Sequence, residues 1–164
     1  MNLKTDIYVD NEKKGLDSSL RFVMIEVKNI PGILNRVVSL MRRKRYNLEE
    51  VSVSFDQQDH AYMIFAIDGA IHDVNQIVEQ IRKLYDVYNA YDITHKYDTL
   101  YHLTDVEINN EADLKLCPIK ADKIITKEDK TYALFITNLQ DSTKLLKFLN
   151  EEKFKYVRRV FGLT

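Results

Sequence analysis

The spacing of apolar residues changes period several times along the first hundred positions. Residues 20–27 are almost continuously apolar or β-branched, which is typical of a strand buried on both faces. From Ile33 the apolar positions recur every three or four residues, and this predicts a helix whose first turn follows Pro31. Residues 51–55 then alternate apolar and polar, and 61–67 form the returning strand of a predicted hairpin.

A second helix is predicted to open at His72 and Asp73, because apolar residues keep the helical period over positions 74–85. Residues 87–95 complete the pattern as a strand, with candidate inward positions at Tyr88, Ala90 or Tyr91, and Ile93. The predicted order is β-α-β-β-α-β. It corresponds to the ferredoxin-like arrangement, in which two helices cover one face of an antiparallel sheet.

The second part of the chain repeats this pattern in a shortened form. The predicted elements are strands at 99–108, 119–126, 131–137 and 154–161 and a helix at 141–151 capped by Asp141 or Ser142. Only about two helical turns fit between Asn109 and Pro118, so the first helix of this repeat is abridged. We therefore predict an α+β protein with a polar N-terminal arm (1–19), a ferredoxin-like domain (20–96) and a second, abridged ferredoxin-like domain (97–164).

Composition excludes several classes of protein. The four glycines, at positions 15, 32, 69 and 162, are too far apart for a G-x-G-x-x-G, Walker A or G-x-S-x-G motif. A net charge of -1 argues against a general nucleic-acid binder. No apolar run reaches the ~20 residues of a membrane span, and the N-terminus lacks a signal-peptide pattern. We expect a cytoplasmic protein that is not bound to a membrane.

The residues best suited to catalysis do not form a recognisable set. His60 lies in a predicted hairpin turn and His72 precedes a predicted helix. His95 and His102 are seven residues apart, which matches no standard zinc spacing, and no Cys or carboxylate cluster accompanies them. Cys117 is the single cysteine, so an internal disulfide or CxxC metal site is excluded, and no paired base is apparent. The sequence predicts no catalytic residues and no metal site.

Two features are compatible with RNA binding. The segment 42–45 carries four consecutive cations, although cations also stabilise the C-terminal end of a helix. The β-α-β-β-α-β order is shared by RNA-recognition domains, which stack bases on aromatic strand residues. The predicted third strand, however, lacks the basic residue and glycines of that module. An RNA-binding module therefore stays a less favoured alternative.

The segment 29–34 is the most informative for ligand binding. A strand runs directly into a helix there, so free N–H groups and the positive end of the helix dipole point at one small volume. Gly32 leaves that volume open, and Asn29 offers an amide that can donate and accept hydrogen bonds. Such a site suits a small carboxylate. A plain capped strand–helix turn explains the same residues, and the pattern alone leaves both open.

Three segments of the first domain follow the motifs of a known family. Asn29-Ile-Pro-Gly-Ile-Leu-Asn-Arg-Val is similar to the pattern N-x-x-G-x-L-x-R-V, Arg45-Tyr-Asn-Leu-Glu to R-G-Y-N-I, and Lys83-Leu-Tyr-Asp-Val to K-L-x-D-V. Together they resemble the N-terminal ACT domain of the regulatory small subunit of acetolactate (acetohydroxyacid) synthase, and the resemblance covers residues 20–95. The family has a glycine at the position of Arg45, so the loop that presents Asn47 is altered if that position needs a positive φ.

The resemblance implies a non-catalytic regulatory subunit. In that family two ACT domains pair side by side, and a branched-chain amino acid, usually valine, binds at their interface. The implied ligand-binding residues are Asn29, Ile30, Pro31, Gly32, Ile33 and Leu34, with Asn47 and Leu48 from the facing protomer. The implied partners are a second copy of the chain and a catalytic large subunit, which carries thiamine diphosphate, FAD and magnesium. No cofactor is expected here. A stand-alone amino-acid-sensing ACT protein is the alternative.

Overall fold

The computed structural model describes residues 19–96 and 99–163, so the predicted N-terminal arm lies outside the described residues except for Ser19. The chain divides into two compact units, one formed by Ser19–Tyr101 with the segment from Arg159, the other by His102–Arg158. The strands are β1 Leu20–Lys28, β2 Leu48–Phe55, β3 His60–Asp68, β4 Val87–Asp92, β5 Leu100–Ile108, β6 Lys123–Lys127, β7 Lys130–Asn138 and β8 Tyr156–Gly162. The helices are α1 Ile33–Arg43, α2 Val74–Arg82 and α3 Leu139–Glu151.

The first unit has the predicted β-α-β-β-α-β order and an antiparallel sheet with strand order β2-β3-β1-β4. One face of the sheet packs against α1 and α2 through a continuous apolar core. On β1 and β3 every second residue belongs to this core, and Val37 and Ile77 on the helices are fully buried against these residues. The ferredoxin-like fold is therefore confirmed for this half of the chain.

The end of α2 differs from the prediction. The apolar pattern extends the helix to residue 85, but α2 ends at Arg82 with Lys83 as its C-cap. Leu84 still packs against the core, whereas Tyr85 is 82% exposed. After the cap, Asp86 has a left-handed conformation with φ of 67°, immediately before β4 begins.

The last strand of the first unit is shorter than predicted. The strand β4 ends at Asp92, and Thr94 then turns the chain by donating its N–H to the Asp92 carboxylate at 2.9 Å. Ala90 and Ile93 are buried as predicted, but Tyr88 is 55% exposed and does not point into the core. A register irregularity between Glu26 and the next residue of β1 accounts for this, because it shifts the alternation of β4.

Between residues 99 and 163 the structure has a four-stranded sheet with order β6-β7-β5-β8 and one α-helix, α3, and most of these residues belong to the second unit. The abridged first helix is one 3₁₀ turn, Glu111–Leu114. The strand predicted from residue 119 begins only at Lys123, since the preceding loop packs against the core through Ile119 and Ala121. Glu128 and Asp129 both have positive φ, as a tight two-residue hairpin requires.

The helix α3 begins two residues earlier than predicted and has a different cap. The Asn138 side chain accepts a hydrogen bond from the N–H of Asp141 at 2.8 Å, so Asn138 caps the helix. Ser142, one of the two predicted caps, is fully buried in the first turn. Within the described residues, no helix is both long and apolar enough to span a membrane.

Candidate functional site

The turn between β1 and α1 is held by backbone hydrogen bonds at its start. The N–H of Lys28 donates to the Asp86 carbonyl at 2.9 Å, and the N–H of Asn29 donates to the Asp59 carbonyl at 2.8 Å. These bonds fix the chain between the two loops that follow β2 and α2. The polypeptide therefore leaves the sheet in a defined direction before the helix begins.

Gly32 is the N-cap of α1 and has a left-handed conformation, with φ of 81°. No side chain caps the helix, and the first helical hydrogen bond is from the Arg36 N–H to the Gly32 carbonyl at 3.0 Å. Among residues 19–96 and 99–163, no group accepts a hydrogen bond from the N–H of Leu34 or Asn35. The first turn thus presents two free N–H groups and the positive end of the helix dipole.

A cavity of about 170 Å³ opens beside this turn. Its lining comes from the turn, from the first residues of α1 and from facing positions on β2 and β3, namely Asn29, Ile30, Gly32, Ile33, Leu34, Val53, Phe55, Ala61 and Met63. Most of the lining residues are apolar, and Asn29 is the polar residue among them. An ideal Cβ on Gly32 would meet no atom within 4 Å, so the space beside the glycine is open.

Five of the eight residues that the resemblance implies as ligand contacts line this cavity together. Pro31 is exposed in the same turn but does not line it. Asn47 and Leu48 lie at the start of β2, outside the lining, and the Asn47 amide donates to the Glu49 carboxylate at 3.0 Å. Within one chain, therefore, the two groups of candidate residues remain separate.

Sequence reasoning missed the opposite wall of the cavity. Val53 lies directly across from Met63, and Phe55 directly across from Ala61, in the β2–β3 ladder. The sequence shows the alternation of apolar residues on both strands. The register of the hairpin determines which facing pairs lie beside the turn. Strand register is not readable from one strand alone.

The loop that leads to Asn47 keeps a glycine-like conformation without a glycine. Arg45 has φ of 58°, in the left-handed region. The N–H of Tyr46 donates to the Met41 carbonyl at 2.9 Å and that of Arg45 to the Arg42 carbonyl at 3.0 Å. These two bonds form a Schellman motif, which normally places glycine at this position. Arg45 therefore adopts a positive φ that glycine would adopt with less strain.

The remaining histidines and the cysteine lie apart from the cavity lining. Within the described part of the chain, no group of three or more His, Cys, Asp or Glu residues is placed to hold a metal ion. His60 stacks edge-on with Tyr88, with ring centroids 4.8 Å apart, and His102 is fully buried in β5. Burial raises the pKa of the Cys117 thiol, which disfavours the nucleophilic thiolate.

The strand tyrosines have acidic neighbours. The Tyr62 hydroxyl donates to the Asp56 carboxylate at 3.1 Å, and the Tyr91 hydroxyl donates to the Glu26 carboxylate at 3.3 Å. Burial and the Glu26 charge raise the pKa of Tyr91. These carboxylates would repel the phosphates of an RNA strand, although the Lys96 ammonium also lies over the Tyr91 ring, 4.7 Å from its centroid.

The fold of most of the chain is similar to that of a solved structure. A solved structure of the acetolactate synthase small subunit from Thermotoga maritima superposes with a TM-score of 0.64, covering 88% of this chain and 98% of that chain at 14% identity. At such low identity the likeness shows the fold alone. The protein is therefore an α+β protein with ACT-type, ferredoxin-like architecture.

Comparison with known sequences finds similarity to acetolactate synthase small subunits in the first unit. Residues 23–89 match the family model described as an AHAS small subunit-like ACT domain. The chain is 32% identical over 73 residues to a probable acetolactate synthase small subunit from Archaeoglobus fulgidus, covering 44% of this chain and 46% of the relative. It is 29% identical over 79 residues to the Bacillus subtilis acetolactate synthase small subunit, covering 46% and 45%. The matched segment thus spans less than half of either relative.

Proposed function

We propose that this protein is a regulatory, non-catalytic small subunit of acetolactate synthase that acts in the cytoplasm. It binds a branched-chain amino acid such as valine at the interface of two ACT domains. The observation that carries the proposal is the cavity of about 170 Å³ beside the uncapped start of α1, inside the segment that matches the family model. The names of the relatives support the same assignment.

The chemistry of the cavity fits a small apolar amino acid. Its volume is well below the roughly 300–1,000 Å³ of pockets for drug-sized ligands. A ligand carboxylate would accept hydrogen bonds from the free N–H groups of Leu34 and Asn35, where the helix dipole also favours negative charge. An aliphatic side chain would pack against Val53 and Phe55. The Asn29 amide would bind the remaining polar group of the ligand.

The edge of the first sheet supports pairing with a second copy. The strand β2 is an edge strand of eight residues, and Val51 and Phe55 are 48% and 65% exposed. Leu34 and Val38 on the neighbouring α1 are also partly exposed, at 40% and 36%. Long, apolar, uncovered edges are templates for strand pairing. Antiparallel pairing along the full length of β2 would set Leu48 of a second copy opposite Phe55, and so bring Asn47 and Leu48 to the cavity.

A ligand held by two copies would act on the catalytic large subunit through linkage. It would favour one of two arrangements of the regulatory dimer, and docking of that arrangement would change the activity of the partner. A coupling free energy of ~1–3 kcal/mol is typical of such systems. The chain itself needs no cofactor or metal for this role.

Calorimetric titration of the full chain with valine, leucine and isoleucine tests the ligand. Gly32→Asp and Gly32→Asn form a matched pair, because both side chains tolerate the left-handed conformation but only aspartate adds negative charge beside the ligand carboxylate. We expect Gly32→Asp to lose at least tenfold more affinity than Gly32→Asn. Absence of heat with all three amino acids would contradict the effector assignment.

One observation favours a second candidate, a free-standing amino-acid sensor that regulates another enzyme. The family model ends at residue 89, so the second unit is not included in the match. Co-purification with a thiamine-dependent large subunit and a change in its activity would favour the small-subunit role. A thermal-shift response to an amino acid without binding to any such subunit would favour the sensor.

A further inference from the structure

The second unit lacks a full first helix. A complete β-α-β-β-α-β repeat has two helices on one face of its sheet, but here the first is only the 3₁₀ turn Glu111–Leu114. Apolar residues of this turn, of the loop after it and of β6 pack against the same core as α3 and stay only partly buried, namely Leu114, Cys117, Ile119, Ala121 and Ile124. A short turn and a loop therefore cover the part of the core that a helix would otherwise cover.

A cavity of about 500 Å³ opens between the 3₁₀ turn, the loop and β6. Six of its lining residues are apolar, namely Leu114, Cys117, Pro118, Ile119, Ala121 and Ile124. Its volume is well above the 170 Å³ of the cavity beside Gly32 and lies within the roughly 300–1,000 Å³ of pockets for drug-sized ligands. This second cavity can therefore hold a molecule larger than valine.

The two remaining lining residues carry opposite charges. Glu111 opens the 3₁₀ turn and Lys120 lies in the loop, and both are exposed. Among residues 19–96 and 99–163, neither takes part in an ion pair. One charge of each sign is therefore available to a ligand in the second cavity.

The backbone at the start of the 3₁₀ turn is already hydrogen-bonded. The Asn110 side chain accepts from the Ala112 N–H at 2.9 Å, and the Asp113 carboxylate accepts from the Asn109 N–H at 2.9 Å. This capping box contrasts with the uncapped start of α1, where two N–H groups are free. A carboxylate in the second cavity therefore needs a side-chain cation, and Lys120 is the lining residue that supplies one.

We propose that the second cavity binds a zwitterionic α-amino acid whose apolar side chain is larger than that of valine. The ligand carboxylate pairs with Lys120 and the ligand ammonium group with Glu111, while the side chain packs against the apolar lining. The site belongs to the second unit and does not rest on the proposed function or on a ligand in the first cavity. The chain then has two amino-acid sites that differ in size.

The two charges favour a zwitterion over simpler ligands. Glu111 repels a carboxylate that lacks an ammonium group, and Lys120 repels an amine that lacks a carboxylate. The apolar lining alone would also suit a side chain of a partner protein, but that contact makes no use of the two charges.

Cys117 reports whether the second cavity is occupied. It is the single cysteine of the chain and belongs to the lining, so a bound ligand shields its thiol. The rate at which a disulfide exchange reagent labels the native full chain is measured against the concentration of L-phenylalanine or L-methionine. If only the ligand-free form reacts, labelling slows about tenfold at ten times the dissociation constant. We expect this for both amino acids, and no slowing with 3-phenylpropionate or phenethylamine, each of which lacks one charge of the zwitterion.

Lys120→Glu and Lys115→Glu form a matched pair of variants. Both lysines are exposed after the 3₁₀ turn, but only Lys120 lines the cavity. We expect Lys120→Glu to weaken L-phenylalanine binding about tenfold or more, because it replaces attraction of the ligand carboxylate by repulsion. Lys115→Glu should change the dissociation constant less than about twofold. Equal losses in the two variants would overturn the proposal.

Glu111→Gln tests the contact with the ligand ammonium group. We expect it to weaken L-phenylalanine binding about threefold, because it removes one exposed charge contact. Glu128→Gln is the control, since Glu128 is exposed in the β6–β7 hairpin and does not line the cavity. Circular dichroism checks that every variant is folded. An unchanged affinity in Glu111→Gln would contradict the assigned contact.

Gly32→Asp separates the second cavity from the first. Protection of Cys117 by L-phenylalanine that persists in Gly32→Asp would support a second site, whereas its loss in that variant would assign the amino acid to the first cavity and overturn the proposal. Unchanged labelling with both amino acids would also overturn it, and slowing by a catalytic large subunit alone would assign the cavity to a protein. Absence of heat with valine contradicts only the first site, so the two proposals fail independently.

Discussion

The backbone N–H of Tyr46 donates to the carbonyl of Met41 at 2.9 Å and closes α1 five residues after that carbonyl. This bond requires a left-handed residue between the helix and Tyr46, and Arg45 supplies it. The same arrangement ends α3, where Lys153 has φ of 57° and the Phe154 N–H bonds Leu149. A chain with four glycines therefore closes two helices with charged residues.

Replacing Arg45 by glycine should raise the free energy of unfolding by about 1 kcal/mol, because glycine has no Cβ to strain the left-handed conformation. Thermal unfolding in 0.5 M NaCl, where charge effects are screened, measures the gain as a shift of several degrees. Arg43→Gly is the control. It lies inside the helix and should lower stability, so a loss in both variants would contradict the explanation.

The exposed edge of β2 predicts a specific effect on assembly. Val51→Lys should shift the chain toward monomer by at least tenfold in the dimerisation constant, because it places a charge inside a closely paired apolar edge. Val157→Lys is a matched control, since Val157 is a half-exposed valine on β8, an edge strand of the other unit. Light scattering against concentration measures both. Equal shifts would show that β2 is not the pairing edge.

The Asp92 carboxyl group should make the free energy of unfolding depend on pH. Burial alone would raise its pKa, but the Thr94 hydroxyl and N–H and the Arg21 guanidinium outweigh burial and lower it. The stabilisation is therefore present above about pH 4, the unfolded pKa, and is lost as pH falls through the folded pKa. Asp92→Asn should cost about 1–2 kcal/mol at pH 7 and less near pH 3.

Urea unfolding at both pH values measures this difference. The carboxylate of Glu79, which is exposed and pairs only with Arg82 in the described structure, offers a control site. Glu79→Gln should change the free energy of unfolding by less than about 1 kcal/mol at either pH, because surface ion pairs contribute little. A pH-independent cost of Asp92→Asn would contradict the assignment to the ionised carboxylate.

Cys117 should react slowly with thiol reagents. Its side chain is half-buried against the core of the second unit, and burial raises the pKa of the thiol although the Ile119 N–H opposes this. At pH 8 the thiolate fraction is accordingly smaller than in a free cysteine. We expect a disulfide exchange reagent to label the native chain at least tenfold more slowly than the urea-unfolded chain. Equal rates would show that the thiol is exposed.

The strands and helices of the first unit could be predicted closely because their signals are local. β1, α1 and the β2–β3 hairpin have clear apolar periods, and Pro31 and Gly32 mark the turn between them. The predicted bounds are wrong where a contact between residues far apart in the sequence sets the end of a strand. The end of β4 depends on Thr94, whose hydroxyl accepts from the N–H of Phe22 at 2.8 Å, 72 residues away. No local pattern contains that information.

In the second unit, too, local patterns predict the order of the elements, whereas tertiary contacts set their bounds and caps. Its strand order follows the repeated pattern, but the cap of α3 is Asn138 rather than either predicted residue, because the choice among neighbouring polar residues depends on where β7 leaves the sheet. The loop around Ile119 was predicted as strand because of its apolar residues, yet those residues pack on the core without pairing. Burial, not pairing, explains their apolar character.

By itself the sequence determined the β-α-β-β-α-β order, the strand–helix turn at 29–34 and the absence of phosphate-binding glycine motifs, because periodicity and backbone freedom are properties of neighbouring residues. The tertiary structure decided the opposite wall of the cavity, since Val53 and Phe55 reach it only through the register of β2 against β3. It also decided that Arg45 adopts a glycine conformation, because the hydrogen bonds that close α1 outweigh the strain of a left-handed arginine.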